Sequence, residues 1–518
     1  MITGVLEVAR CEGLTTAGRE ASCGACWPQA TARYKGNRNL GGPNEESAGL
    51  IVPFEDMGQH NPVRWEGALL QLKEFDAVEE VLIAIMARNK TDKVRQLQRT
   101  LYRKAKQDKE VKFYTLYDKM YREDVLWESW RQVKANKGAP GVDGESIEAI
   151  VLDGKEGEMI SRVRERLVEK SYRFHPVRRV DIPKPKGGTR PLGIATVEDR
   201  VVQTAMKLIL EPIFEADFHD CSYGYRPKRD AKMASLAIRE DLYRYAWGVV
   251  EIDFKSYFTT IPHDKLLILI RRRVLDGSML KIIKESLKVG VAYKGRVEAT
   301  RVGVAQGSPI SPLYSNIYLN LVDQVWHRRG YPDKLGATLH RYADDAILVC
   351  RQSATQPLEA FEGIVKRMGL MINKEKTRVT RLTEGFNFVG FHFVKRRSPN
   401  TGKWTIYIFP SKESQRNIRR RIKYFTKRRA PVQPEEFIRN INQVVRGWVN
   451  YYRHTNASDA FRMLQRFINT RLRRYLTFRS KGRGFGWKKF PNKKLYAMGI
   501  IYIGSGMIRY EKATANAL

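Results

Sequence analysis

The sequence predicts an α+β fold in which a sheet-bearing region is followed by an all-helical one. Three observations carry that expectation. Residues 339–350, LHRYADDAILVC, set β-prone apolar residues on both sides of a short Ala343-Asp344-Asp345 corner, the pattern of a β-hairpin with two adjacent carboxylates at its tip. Residues 248–262, GVVEIDFKSYFTTIP, open on a run from Val249 to Ile252 that reads as a buried strand ending on Asp253. Residues 411–480 carry three apolar stripes at helical spacing: Ile418, Ile422 and Phe425; then Phe437, Ile441, Val445, Trp448 and Tyr452; then Phe461, Leu464, Ile468, Leu472 and Tyr475.

Composition narrows the partners. The chain has 518 residues, enough for several domains, and 93 Lys and Arg against 56 Asp and Glu, a net charge of +37. Such an excess calls for a polyanion, either nucleic acid or an anionic membrane surface. No apolar run reaches the length of a bilayer span, so no membrane insertion is expected. No basic-then-apolar leader opens the chain, so no secretory signal is expected either. The five cysteines, Cys11, Cys23, Cys26, Cys221 and Cys350, are odd in number and sparse. They fit a reducing compartment, the cytoplasm, and no disulfide framework.

Taken in order, residues 1–62 are rich in small and polar residues and predict a poorly ordered extension. Cys23 and Cys26 form a CxxC there, too isolated to assign zinc. Helical spacing predicts helices over residues 65–86, 93–106 and 112–134, followed by the turn-rich segment Gly138 to Gly144. Residues 172–194 alternate short β-prone pieces with Pro and Gly and cluster Arg178, Arg179, Lys184, Lys186 and Arg190, which predicts a basic hairpin able to contact phosphates. Helices are expected over residues 197–214 and up to about Tyr245, with the segment SYGYRP between them. In residues 303–321, GVAQGSPISPLYSNIYLNL, a Gly-Ser-Pro turn opens a helix, with Gln306 and Gly307 at its mouth. A helix over residues 358–368 and a Phe386–Phe393 hairpin follow.

The acids suggest chemistry. Adjacent carboxylates can hold Mg²⁺, which takes oxygen ligands and keeps substrate phosphates as partners. Asp344 and Asp345 with Asp253 make a set able to bind two Mg²⁺ ions and the triphosphate of an incoming nucleotide. Phe258, five residues beyond Asp253, could lie under a sugar and exclude a 2′-hydroxyl, although a core role is the simpler reading. Lys376 is a candidate acid for the departing pyrophosphate.

These segments together resemble a group II intron-encoded reverse transcriptase, or maturase. The resemblance runs from GVDG at residues 141–144 through IPKPKGGTRPLGI, SYGYRP, EIDFKSYF, AQGSPISPLYSNIYLN, RYADD and GLMINKEKT to FVGF, and covers residues 113–490. It implies a right-hand polymerase of fingers and palm followed by an α-helical thumb. The implied division is an N-terminal extension (1–62), N-terminal helices and fingers (63–244), palm (245–395), thumb or maturase domain (411–480) and a basic DNA-binding tail (481–518). It implies metal binding by Asp253, Asp344, Asp345 and the carbonyl of Phe254, and nucleotide contacts from Lys184, Lys186, Arg190, Phe258 and Gln306. Thr259 departs from relatives that carry Asp, at a position the family does not use for metal. No His follows His454 and no Cys follows Cys350, so the HNH endonuclease found in some relatives is not expected.

The C-terminal helices carry Arg416, Arg419, Arg420, Arg421, Arg462, Arg466, Arg473 and Arg474, cations of one sign whose self-repulsion a polyanion would relieve. They are the expected RNA-binding residues, since structured RNA is read largely by shape and backbone. The implied partners are group II intron RNA, an RNA template, a DNA primer or target and dNTPs, in a bacterial cytoplasm near the nucleoid, and a homodimer is left open. Two alternatives are a splicing factor without polymerase activity and a reverse transcriptase co-opted for defence. The intact acid set argues against the first, and the maturase-like thumb against the second.

Overall fold

The computed structural model describes residues 91–183, 188–426 and 433–504, all within one compact unit, Phe75–Leu518. The N-terminal extension with Cys11, Cys23 and Cys26, the helix expected over residues 65–86, Lys184, Lys186 and residues 505–518 lie outside the described residues.

Residues 91–107 are helical. The single helix expected over residues 112–134 is instead broken. Only a short turn, Tyr117–Met120, precedes α1 (Glu123–Ala135). The cause is distant in sequence. Phe113 N–H donates to Arg273 O, and Phe113 O accepts from Leu275 N–H, both at 2.8 Å. The Asp276 carboxylate then takes the N–H groups of Leu116 and Tyr117 at 2.7 and 2.8 Å. Those bonds satisfy amides that a continuous helix would have used. Next, α2 (Glu156–Val168) turns Met159, Ile160, Val163 and Leu167 inward, and both helices pack on α3 (Val197–Glu215). Thr196 caps α3 by accepting Asp199 N–H, 3.1 Å.

Strands β1 (Val177–Pro183) and β2 (Thr189–Ile194) form the expected antiparallel hairpin. After α4 (Ala231–Tyr245) comes β3 (Gly248–Ile252), then α5 (His263–Arg271) and α6 (Gly277–Leu287). Strands β4 (Val291–Tyr293) and β5 (Arg296–Glu298) complete a sheet of order β2-β1-β4-β5, with β1 and β4 parallel. Helix α7 (Ser311–Arg328) leads into β6 (Ala337–Tyr342) and β7 (Asp345–Cys350); α8 (Thr355–Arg367) and β8 (Arg378–Arg381) follow. The central sheet has order β6-β7-β3-β8, and every pairing in it is antiparallel.

Period-two alternation divides the core about this sheet. Val250, Ile252, Leu339 and Leu348 join one hydrophobic cluster with Trp326 and Phe361. Val249, Ile347 and Val349 join a second, which continues into the C-terminal helices. Strands β9 (Phe386–Phe388), β10 (Phe391–Arg397) and β11 (Trp404–Pro410) make a third sheet, order β11-β10-β9. Helices α9 (Lys412–Phe425), α10 (Pro434–Tyr452), α11 (Ser458–Arg479) and α12 (Asn492–Ala497) follow and bury the apolar stripes read from the sequence, apart from Phe425 and Trp448, which are half-buried. Among the described residues no helix is long and apolar enough to cross a membrane.

Candidate active site and nucleic-acid groove

The β6–β7 register pairs Tyr342 with Asp345, which leaves Ala343 and Asp344 as a two-residue turn. Ala343 sits at φ +58°, a conformation that tight hairpins need and that Gly or Asn adopts more easily. A non-glycine residue there costs roughly 1–3 kcal/mol, so its surroundings must impose it. Arg341 does part of this, donating through Nη1 to Ala343 O at 2.8 Å. The SYGYRP segment does the rest. Arg341 N–H donates to Cys221 O at 2.8 Å and Tyr223 N–H to Arg341 O at 2.9 Å. A Cβ on Gly224 would lie 2.3 Å from Ala343 N, so only glycine lets this segment approach the turn. Asn316 of α7 donates to Gly224 O at 2.8 Å. The Arg226 guanidinium grips Glu215 at 2.7 Å and the carbonyls of His219 and Ser222, each at 2.7 Å.

Ile252 pairs with Ala346, so the next residue, Asp253, emerges beside Asp345. Burial, then Asp344 and Asp253, push the Asp345 carboxyl up to about 6. Burial also raises Asp344, against the pull of Arg190. Like charges are therefore held close enough to repel one another, a setting that favours a cation. Lys376 Nζ lies 3.5 Å from Asp253 Oδ2. Asp253, Asp345 and Lys376 open onto a groove of about 1600 Å³ whose far wall carries Arg416, Arg421 and Trp448.

On the fingers side, Arg190 Nε donates to Gln306 Oε1 at 2.8 Å, and Gly193 N–H donates to Gln306 O at 2.7 Å. Gly307 lies at φ +109°, and a Cβ there would come within 2.8 Å of Gly193 O. Phe254 and Phe258 are both buried, each packed against Tyr257. Sequence reasoning missed three supports of this site: Arg341 as a buried cation, its partner Asp323, and Glu251, which faces the groove two residues before Asp253. An arginine inside a strand of otherwise core residues was the available signal for the first.

Residues 182–393 match the family model described as reverse transcriptase (RNA-dependent DNA polymerase), and residues 415–495 match the group II intron maturase-specific domain. Protein YkfC of Escherichia coli (strain K12) is 32% identical over 363 residues, covering 63% of this chain and 94% of that protein. This chain belongs to the group II intron reverse transcriptase and maturase family. Group II intron-encoded protein LtrA of Lactococcus lactis subsp. cremoris is 35% identical over 213 residues, 41% of this chain and 35% of LtrA. A putative COX1/OXI3 intron 1 protein of Saccharomyces cerevisiae is 32% identical over 203 residues, 39% of this chain and 24% of that protein. The chain thus spans nearly all of YkfC but only about a third and a quarter of the latter two.

In the maturase region of this family member, α10 reaches back to the FVGF turn. Tyr451 Oη donates to Val389 O at 2.8 Å, and Tyr452 Oη lies 3.0 Å from Gly390 O. Gly390, at φ +80°, leaves room for that hydroxyl, since a Cβ would come within 2.8 Å of it. Arg416, Arg420 and Arg421 on α9, and Arg462 and Arg466 on α11, are exposed, while Arg419 and Arg474 are half-buried. Arg473 corrects the reading of an outward basic face. It is 1% exposed, donates to Phe490 O at 2.9 Å and Asn492 Oδ1 at 2.6 Å, and lies 3.8 Å from the centre of the Trp487 ring. The returning chain covers this arginine, so it is structural and does not face RNA.

Proposed function

We propose that this chain is an RNA-directed DNA polymerase that also binds group II intron RNA to assist its splicing, and that it supports intron mobility by target-primed reverse transcription. The coupling of Asp345 to Asp344 and Asp253, with Asp253 and Asp345 opening onto a groove that Arg416 and Arg421 also line, carries the reading. The residues suit a divalent metal: the donors are all oxygens, Asp253 raises both Asp344 and Asp345 by repulsion, and Asp344 raises Asp345 further. Asp253, Asp344, Asp345 and the Phe254 carbonyl would hold two Mg²⁺ ions. Mg²⁺, when bound, neutralises the triphosphate and acidifies the primer 3′-hydroxyl.

The chain's own groups do the rest. Arg190, already oriented by Gln306, takes the triphosphate oxygens of a dNTP. Lys376, beside Asp253, stands where it can hand a proton to the departing pyrophosphate. Phe258 forms the packed floor below the sugar. The exposed arginines of α9 and α11 neutralise RNA phosphates with release of counterions, so splicing assistance fades as salt rises.

Primer extension on an RNA template with Mg²⁺ and dNTPs tests the polymerase reading, with Asp344→Ala beside the wild type. Extension by the wild type alone, with equal RNA affinity in both, is the expected result. Tight binding to structured intron RNA without extension by either protein would leave the splicing role and remove the polymerase.

A further inference from the structure

The turn between α3 and SYGYRP carries His219 and Cys221, and the last turn of α7 carries His327. One ligand atom from each of the three side chains lies within 4.8 Å of the other two. We propose that His219, Cys221 and His327 bind a thiophilic divalent transition-metal ion of the Zn²⁺ class, at a site separate from the catalytic carboxylates.

The donor set is the first argument. Two imidazoles and a thiolate suit a borderline-soft ion, whereas the all-oxygen set of Asp253, Asp344 and Asp345 suits Mg²⁺. The two sites would therefore sort ions by chemistry within one domain. Tautomer is the second argument. His327 Nδ1 lies 2.7 Å from Asp323 O, and a carbonyl can only accept, so Nδ1 carries the proton and Nε2 presents its lone pair. His219 Nδ1 accepts Cys221 N–H at a long 3.3 Å, a bond that a metal bond at the same nitrogen would replace.

Geometry sets the reorganisation required. The imidazole rings are stacked, 3.6 Å between centres and 20° from parallel. Tetrahedral zinc needs donor separations of roughly 3.3–3.8 Å, so groups already within 4.8 Å of one another have at most about 1.5 Å to close, and the rings must splay. Both histidines are only half-buried, which leaves them that freedom and opens the fourth position to water, while Cys221 is buried. The neighbouring cations are already matched: Arg226 by Glu215 at 2.7 Å and Arg341 by Asp323 at 2.6 Å.

An ion here would tie the SYGYRP segment to α7. Those two elements hold Arg341, and through it the Asp344 turn. The site is thus a brace beneath the catalytic corner.

Titration of the chelator-treated full chain with Co²⁺, in saturating Mg²⁺ and without oxygen, tests the proposal. One equivalent should produce a thiolate-to-cobalt charge-transfer band and intense tetrahedral d–d absorption, and Zn²⁺ should bleach both. The band should vanish in Cys221→Ser, weaken at least tenfold in apparent affinity in His327→Gln, and persist in the Cys23→Ser/Cys26→Ser double variant. Zn²⁺ should also raise the Tm of the wild type and not that of His327→Gln. If Cys221→Ser fails to fold, His327→Gln reads the same site on a half-exposed side chain. A wild type without the band, a band that survives His327→Gln at full affinity, or one lost with Cys23 and Cys26 overturns the site.

Discussion

Arg341 and Asp323 form an ion pair from which water is excluded: Nη2 lies 2.6 Å from Oδ2, and the side chains are 2% and 0% exposed. Nε also donates to both carboxylate oxygens, at 3.0 and 3.1 Å, and Nη1 reaches Asn316 Oδ1 at 3.0 Å and Ala343 O at 2.8 Å. A helix residue far from the chemistry therefore fixes the backbone one residue before Asp344.

Removing one partner of such a pair strands the other charge. Asp323→Ala should cost about 3–5 kcal/mol of stability. Asp323→Asn keeps the shape and should cost less. In that variant the Mg²⁺ concentration for half-maximal primer extension should rise several-fold, with RNA affinity unchanged. An unaltered Mg²⁺ requirement would show that the turn holds its shape without the pair.

The raised Asp345 carboxyl predicts a pH dependence of the metal-free fold. Its folded value, about 6, lies above its ordinary 3.8, raised by burial and then by Asp344 and Asp253. The group therefore contributes stability that is full below about 3.8 and is lost as pH rises through about 6. Asp345→Asn, which cannot ionise, should melt higher than wild type at pH 7.5. The gap should narrow as pH falls below about 6 and be gone below about 3.8. Thermal melts in chelator at several pH values measure this, and a gap that widens on acidification contradicts it.

Gly390→Ala places a Cβ 2.8 Å from the Tyr452 hydroxyl, at a φ of +80°. The strained turn should cost roughly 1–3 kcal/mol and loosen the bond between FVGF and α10. Shorter cDNA products per binding event are expected, with the first nucleotide added at a near-normal rate. Equal product lengths would show that the contact between this turn and α10 does not matter for extension.

The arginines of α11 should divide by burial. Arg473→Ala removes the bonds to Phe490 and Asn492 and should lower Tm markedly. Arg462→Ala and Arg466→Ala should leave Tm unchanged and each reduce the salt slope of RNA binding by about one. Filter binding at several salt concentrations, paired with melts, separates the two classes.

Much of this site was legible because its signals are local. A strand that ends on Asp253 and a hairpin that turns at Ala343 and Asp344 are both written in consecutive residues. What escaped depends on chain brought from elsewhere. Asp276 breaks the helix expected over residues 112–134 by capping amides some 160 positions earlier, which no periodicity encodes. Arg473 flanks the stripe of α11 as a surface cation would, and only the returning segment at Trp487 to Asn492 buries it. Arg341 was visible as a charge in a strand, but its partner on α7 was not.

The two bonds that Gln306 makes to β2 join segments more than a hundred residues apart. Its carbonyl holds Gly193 and its side chain holds Arg190, so β2 is fastened to the loop ahead of α7 at two points. The hairpin is paired with β1 out to Pro183 and Thr189. Strand β2 and the loop ahead of α7 are therefore tied into one piece, so a displacement of either carries the other with it.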